Sequence, residues 1–329
     1  MSTTTPDPNV TLPTAGPAMS DPAMPGSAMA GPAMPGSAMA GPAIPGSAMA
    51  GPLMREAPPF VTAALRVFDL SLSQMLWSRR TIFLGLVVGS PVALGLMLRI
   101  LDAFGFTGSI RMGGAPVPGA AVFGSMIWLL YLRFLVPVLG VFYGTSLIAD
   151  EVDDKTVTYL FVRPISRSAV LVGKYLAYVV TTVFVVLPSV VVLYLCVQPL
   201  GHGSLAEGFM SLLIDLGLLG LGLAAYGALF AMIGAGVKRP LVAGLVFAFG
   251  WEQLAMALPG YLRKFTIAYY LQALVPHSMP ADGLGSALQA LFRDVPSPTT
   301  SLSAIFAMIV IFLAIAAWMV EKREYVLEQ

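Results

Sequence analysis

Apolar positions along the chain gather into six nearly uninterrupted runs, at residues 81–101, 121–148, 175–197, 209–236, 241–258 and 301–320. A run of about 20 apolar residues, rising 1.5 Å per residue as a helix, spans the ~30 Å hydrocarbon layer of a bilayer. No water satisfies backbone N–H and C=O groups in that layer, so each run must be helical. Residues 60–80 follow a different rule. Val61, Leu65, Phe68, Leu72, Met75 and Leu76 recur at steps of three and four, while Arg66, Asp69 and Ser73 fall off that stripe. This is the signature of an amphipathic helix lying along a membrane surface. Arg79-Arg80 marks its turn, at headgroup level, into the first run. The pattern therefore predicts an all-α polytopic membrane protein: six transmembrane helices preceded by an interfacial helix.

Ahead of that domain, the periodicity vanishes. Half of the 26 prolines precede Phe60, and residues 17–56 read as pentads such as PAMPG and SAMAG. Methionine takes the third place in every pentad but one, where Ile44 stands. Pro or Gly in nearly every pentad breaks helix and ladder alike. Residues 1–57 are expected to be a disordered repeat tail, and 58–329 the membrane domain. Evenly spaced thioethers are soft ligands of the kind that select Cu(I). With no Cys or His beside them, no metal site is assigned to the tail.

Composition narrows the class further. The chain is 57% hydrophobic and 11% charged, against about 25% charged in a typical soluble domain. A mean hydropathy of +0.83 excludes a soluble globular enzyme. A net charge of +1 argues against a nucleic-acid partner and leaves the lipid bilayer as the first one. One cysteine, Cys196, rules out an internal disulfide, and two histidines leave little for a metal centre.

Placed on the runs, the charges give an orientation. With the N-terminus inside, twelve of the 18 Lys and Arg residues fall on the inner side and four on the outer; Arg99 and Arg133 lie within runs. The positive-inside rule then puts both termini in the cytoplasm and the protein, multi-pass, in the plasma (inner) membrane. Trp77 and Trp318 fall at the inner boundary, where interfacial aromatics collect.

An ionisable group near the centre of a transmembrane helix costs about 2.5–3.5 kcal/mol on insertion scales. Arg133 in the second run and Asp215 in the fourth are the clearest cases, as an internal ion pair or as part of a transport pathway. Glu252 and Arg99 lie nearer run ends and are expected to snorkel in structural roles. Gly85-x-x-x-Gly89 and Gly220-x-x-x-Ala224 carry the spacing that lets helix backbones approach, within the bundle or at a homodimer face. Pro91, Pro137 and Pro188 are expected to kink their helices.

The densest cluster of charge is the loop at residues 150–174, on the predicted inner side. Asp150, Glu151, Asp153 and Asp154 open it, an apolar stretch fills residues 157–162, and Arg163, Arg167 and Lys174 close it. Pro164 ends any helix before it, and Ser166 is placed to cap the next. A solvated connector has no need of six consecutive apolar residues, so the patch reads as a docking element. This segment resembles the signature of type-2 ABC transporter permeases, carried here by Glu151, Thr156, Arg163, Pro164, Ser166, Arg167, Gly173 and Lys174. Lys155 stands where that family usually has Gly. The resemblance covers roughly residues 60–325 and leaves the tail outside.

The resemblance implies that the loop carries a coupling helix that enters a cleft of a cytoplasmic ATP-binding subunit. Coupling would rest on Glu151, Thr156, Arg163, Pro164 and Arg167. It also implies that residues 259–300, aromatic and long for a connector, form short helices closing the outer face. The chain has no G-x-x-x-x-G-K-[ST] and no H-E-x-x-H, so it is not itself an ATPase. It would bind no cofactor; ATP and Mg would sit on the partner subunit. The expected function is the permease subunit of an exporter, as a homodimer or heterodimer of permeases. A secondary transporter coupled to an ion gradient through Asp215, or a membrane anchor, are the alternatives.

Overall fold

The computed structural model describes residues 59–76, 79–105, 111–112, 115–116, 118–148, 166–200, 203–257, 261–276 and 296–322. The repeat tail, Glu151, Thr156, Arg163 and Pro164 of the coupling loop, and residues 285–292 of the outer segment lie outside the described residues.

Eight helices are named here in chain order: α1 (Phe60–Leu76), α2 (Arg79–Ala103), α3 (Gly119–Ile148), α4 (Arg167–Val197), α5 (Phe209–Gly236), α6 (Pro240–Met256), α7 (Ile267–Leu274) and α8 (Pro298–Lys322). A two-residue antiparallel ladder, Arg111–Met112 with Ala115–Pro116, joins α2 to α3. Five helices, α2, α3, α4, α5 and α8, are long and apolar enough to cross a membrane. The fifth predicted run becomes α6, which is shorter, and is followed by a 3-10 turn at Tyr261–Phe265 and by α7. At 1.5 Å per residue, the 17 residues of α6 reach only about 25 Å.

The long helices run up and down. Lys174 at the start of α4 meets Leu147 at the end of α3, and Gly234 near the end of α5 sits against Thr145. At the opposite end, Gly119 abuts the carbonyls of Val197 and Gln198. The bundle thus has an Arg167 end and a Phe209 end. At its centre lies α5, packed against α3, α4, α6, α7 and α8.

Tyrosine does much of the filling. Tyr131, Tyr143, Tyr178 and Tyr226 are among the largest fully buried side chains. A phenol contributes a large apolar ring, but its hydroxyl must find a partner when buried. Tyr175 and Tyr178 donate to the backbone oxygens of Ala224 (2.9 Å) and Leu223 (3.0 Å) on α5, and Tyr131 pairs with Ser189 at 3.0 Å.

Two details are added to the sequence reading. The helix over Phe60–Leu76 does form, and α1 packs against α4 mainly through small residues: Ala63, Ala64 and Ser71 are buried, Phe68, Leu72 and Met75 of the predicted apolar stripe are half-buried, and Val61 and Leu65 are exposed. Short side chains let the two helix backbones come close. In α2, Gly85 and Gly89 have no atom of another element within 4 Å of where a Cβ would stand, so that motif packs no helix within this chain.

The prolines are accommodated by the helices around them. Pro91 and Pro188 sit inside continuous helices. Pro137 follows a π-helical stretch, Ile127–Leu135, which changes the hydrogen-bond register just where its missing N–H would break it. A second π-helical stretch, Val246–Trp251, occupies the middle of α6.

Candidate functional site

Two places combine the sequence's candidate residues with specific geometry. The first is the Arg167 end, where α4 begins. Ser166 takes the N-cap position of α4 with extended backbone, as its sequence position suggests. Its hydroxyl makes no capping bond; its carbonyl accepts from Ala169 (3.1 Å) and Val170 (3.3 Å) instead. Arg167 begins the helix. One turn and a half later, Gly173 faces α1 so closely that a Cβ there would stand 2.5 Å from the Ala64 carbonyl and 2.9 Å from Val67 Cβ. No side chain fits, so glycine permits the α1–α4 contact. Lys174 Nζ donates to the Leu147 carbonyl at 3.2 Å, on the last turn of α3. Helix C-termini leave such carbonyls without an intrahelical donor, and a cation there also complements the helix dipole. The adjacent Gly and Lys of the motif thus fix the two boundaries of the loop: Gly173 joins α4 to α1, and Lys174 joins α4 to α3.

The second place is a mostly apolar cleft in the bundle with a few polar groups turned into it. It is lined by Trp128, Leu132, Arg133 and Pro137 of α3, Tyr226 of α5, Glu252, Gln253 and Met256 of α6, and Ala268 and Leu271 of α7, and holds about 380 Å³ with its open mouth included. Two of the three π-helical stretches among the described residues border it: Arg133 lies within Ile127–Leu135, and Glu252 directly follows Val246–Trp251, the third being Gly140–Gly144. Wide π turns are frequently found at functional sites, because they re-aim side chains that a regular helix would place elsewhere.

Arg133 and Asp215 do not share this cleft. The Arg133 guanidinium donates to Gln253 Oε1, and its charge also acts on Glu252. Asp215 is buried in α5 and is not among the lining residues. Glu252 is where the sequence reading needs correction. Instead of snorkelling, it is 2% exposed and accepts on Oε1 from the Tyr226 hydroxyl (2.6 Å) and the Ala268 N–H (3.0 Å). Its burial is feasible because two donors from different helices converge on it, and an isolated carboxylate would not be. Arg99 does remain exposed, paired with Asp102 at 3.5 Å. The signal for Glu252 in the sequence was the Glu-Gln pair near the end of an apolar run; the tyrosine that receives it is 26 residues away.

Among the described residues no cluster of His, Cys, Asp or Glu is arranged to hold a metal.

The description "ABC-2 family transporter protein" matches residues 26–325 of the chain. The chain belongs to the ABC-2 transporter family. No curated protein matches it. Membrane domains of ABC-2 permeases are transport subunits without ATPase activity, and they work with a cytoplasmic ATP-binding subunit. The several apolar helices fit a multi-pass permease of this family. The family match also begins ahead of the membrane domain, within the pentad repeat.

Proposed function

We propose that this ABC-2 permease is the membrane subunit of an ATP-driven exporter. ATP hydrolysis, with Mg, takes place on a separate cytoplasmic subunit. That subunit docks on the loop at residues 150–174 through Glu151, Thr156, Arg163, Pro164 and Arg167. The chain crosses the plasma membrane six times, with α6 as the fifth and shortest crossing, and both termini face the cytoplasm. The Arg167 end of the bundle is the inner one, and residues 1–57 form a tail outside the membrane domain.

The observation that carries this reading is the double anchoring of the loop. Gly173 seats α4 on α1, and Lys174 ties α4 to α3. A push on the loop from below is thereby delivered to three helices at once. Recovery of the tagged full chain from membranes should bring down an ATP-binding subunit, and charge reversal at Glu151 together with Arg167 should abolish that recovery. Undiminished recovery by the reversed chain would remove the coupling role from these residues.

The permease acts as a homodimer in this reading. Arg133 is exposed near the middle of α3, flanked by exposed Leu129 and Phe134, with Val246, Phe249 and Trp251 exposed on α6. A guanidinium facing acyl chains at that depth would cost about 2.5–3.5 kcal/mol. A second copy over this face removes the cost. With Cys196 replaced by Ser, Phe249→Cys should form a covalent dimer in oxidised membranes, whereas Val310→Cys on α8 should remain monomeric. The reverse pattern would move the interface to α8.

A further inference from the structure

The buried carboxylate of Glu252 joins three elements that the sequence separates. It sits on α6, its Oε1 accepts from Tyr226 of α5 at 2.6 Å, and the same oxygen accepts from the backbone N–H of Ala268 at 3.0 Å. Ala268 is the second residue of α7, so its N–H is one of the donors that a helix N-terminus leaves without an intrahelical partner. Thr266, the N-cap of α7, takes the Tyr269 N–H on its hydroxyl at 3.3 Å. The first turn of α7 is therefore capped twice, once by its own N-cap and once by a carboxylate from another helix.

One turn further on, Leu271 is buried at the cleft and packs against α5, where it would be the nearest neighbour (3.3 Å) of a Cβ on Gly222. An eight-residue helix is too short to persist by itself, so α7 depends on what holds it. Its attachments include the polar contact at Glu252 and apolar packing against α5 and α8, with Leu271 buried on the α5 side. Between them α7 covers one side of the cleft that contains Arg133 and Gln253.

We propose that Glu252 is the positioning residue that fastens α7 to the bundle and keeps the Phe209 end of the cleft closed. Loss of the Glu252–Ala268 bond frees the first turn of α7, and the cleft then opens at that end. In the permease reading this is the step that exposes the pathway on the outer side, and only that last assignment rests on the proposed function.

The test uses the full chain in lipid nanodiscs, without ATP or partner, so its result is independent of the exporter reading. Hydrogen exchange is followed by mass spectrometry in the peptide covering α7. In Glu252→Ala the α7 amides should exchange about tenfold faster or more, the scale set by losing a hydrogen bond to a charged acceptor, with α4 and α8 unchanged. Glu252→Gln keeps an acceptor oxygen and should restore most of the protection. With Trp77, Trp251 and Trp318 replaced by Phe, acrylamide quenching of Trp128, which lines the cleft, should rise in Glu252→Ala and return in Glu252→Gln.

Should Glu252→Ala fail to fold, Tyr226→Phe removes one donor from the same carboxylate and should raise α7 exchange and Trp128 quenching in the same direction. Unchanged α7 exchange, or a rise shared equally by α4 and α8, would overturn the proposal. So would unchanged quenching of Trp128 where α7 exchange has risen.

Discussion

Gly227→Leu is expected to lose more stability than any substitution of comparable size on the exposed face of α5. A Cβ at Gly227 would enter the ring of Tyr178, with Cδ1 and Cζ both at 2.9 Å. The ring has little room to retreat: Tyr178 is fully buried, with Tyr143 and Tyr175 beside it at centroid distances of 6.5 and 6.3 Å. Pushing it aside also breaks the bond from its hydroxyl to the Leu223 carbonyl. Overpacking of this kind typically costs about 1–3 kcal/mol, and a buried polar group left without its partner about the same again. The apparent Tm in detergent should fall by about 5 °C or more. Gly220→Leu is the internal control. It lies two turns earlier on the same helix, where a Cβ meets nothing within 4 Å, and its Tm should stay near that of the unaltered chain. Gly→Leu improves helix propensity at both positions, so equal losses would mean that the added bulk anywhere on α5, rather than contact with Tyr178, sets the cost.

Gly173→Leu should have the largest effect on ATP-driven function. The new side chain cannot share space with the Ala64 carbonyl, so α1 must move off α4. The α3–α5 packing through Gly144 and Gly234 is remote from that contact and should survive. The expected phenotype is a chain that is inserted and folded but poorly coupled. Stimulation of the partner's ATPase by the permease should drop by about fivefold to a hundredfold, the usual range of free-energy coupling between sites. Lys174→Met, which removes the donor to the Leu147 carbonyl, should fall in the same direction but less far, and Lys174→Arg should recover part of the loss. Retained stimulation in Gly173→Leu would show that the α1–α4 contact is not part of the coupling route.

The hydrophobic pattern was a good guide to the helices and a poorer one to their faces. Its runs predicted α2, α3, α5 and α8 to within three residues, because the requirement for a long apolar helix is written into consecutive side chains; α4 starts eight residues ahead of its run, at Arg167. The pattern placed α6 as closely, at 241–258 against Pro240–Met256. What it did not show is that α7 packs beside α6 and is held there through Glu252. On α1 the periodicity was right, but it did not show which residues meet α4. Burial there goes to Ala63 and Ala64, whose small size matters only once Gly173 is known to lie opposite.

The candidate residues divide in the same way. The motif Arg163-Pro164, Ser166-Arg167 and Gly173-Lys174 was legible because its residues are close in sequence, and the start of α4 at Arg167 agrees with it. Arg133 was legible as an ionisable group within an apolar run, but its partner was not: Gln253 lies 120 residues away. Glu252 was read as a snorkelling end residue because distance along a helix was the only depth gauge available.

The sequence alone determined the membrane class, the long helices, the charge asymmetry and the family signature, since each is a local property of composition or spacing. Only the tertiary structure decided which glycines are contacts and which are open, that α7 packs against α5, α6 and α8, and that Glu252, Tyr226 and Ala268 meet at one oxygen atom. Those outcomes depend on distances between helices far apart in the chain. They are fixed by how side chains of particular size and hydrogen-bonding capacity fit together when five long helices and one short one share a single core.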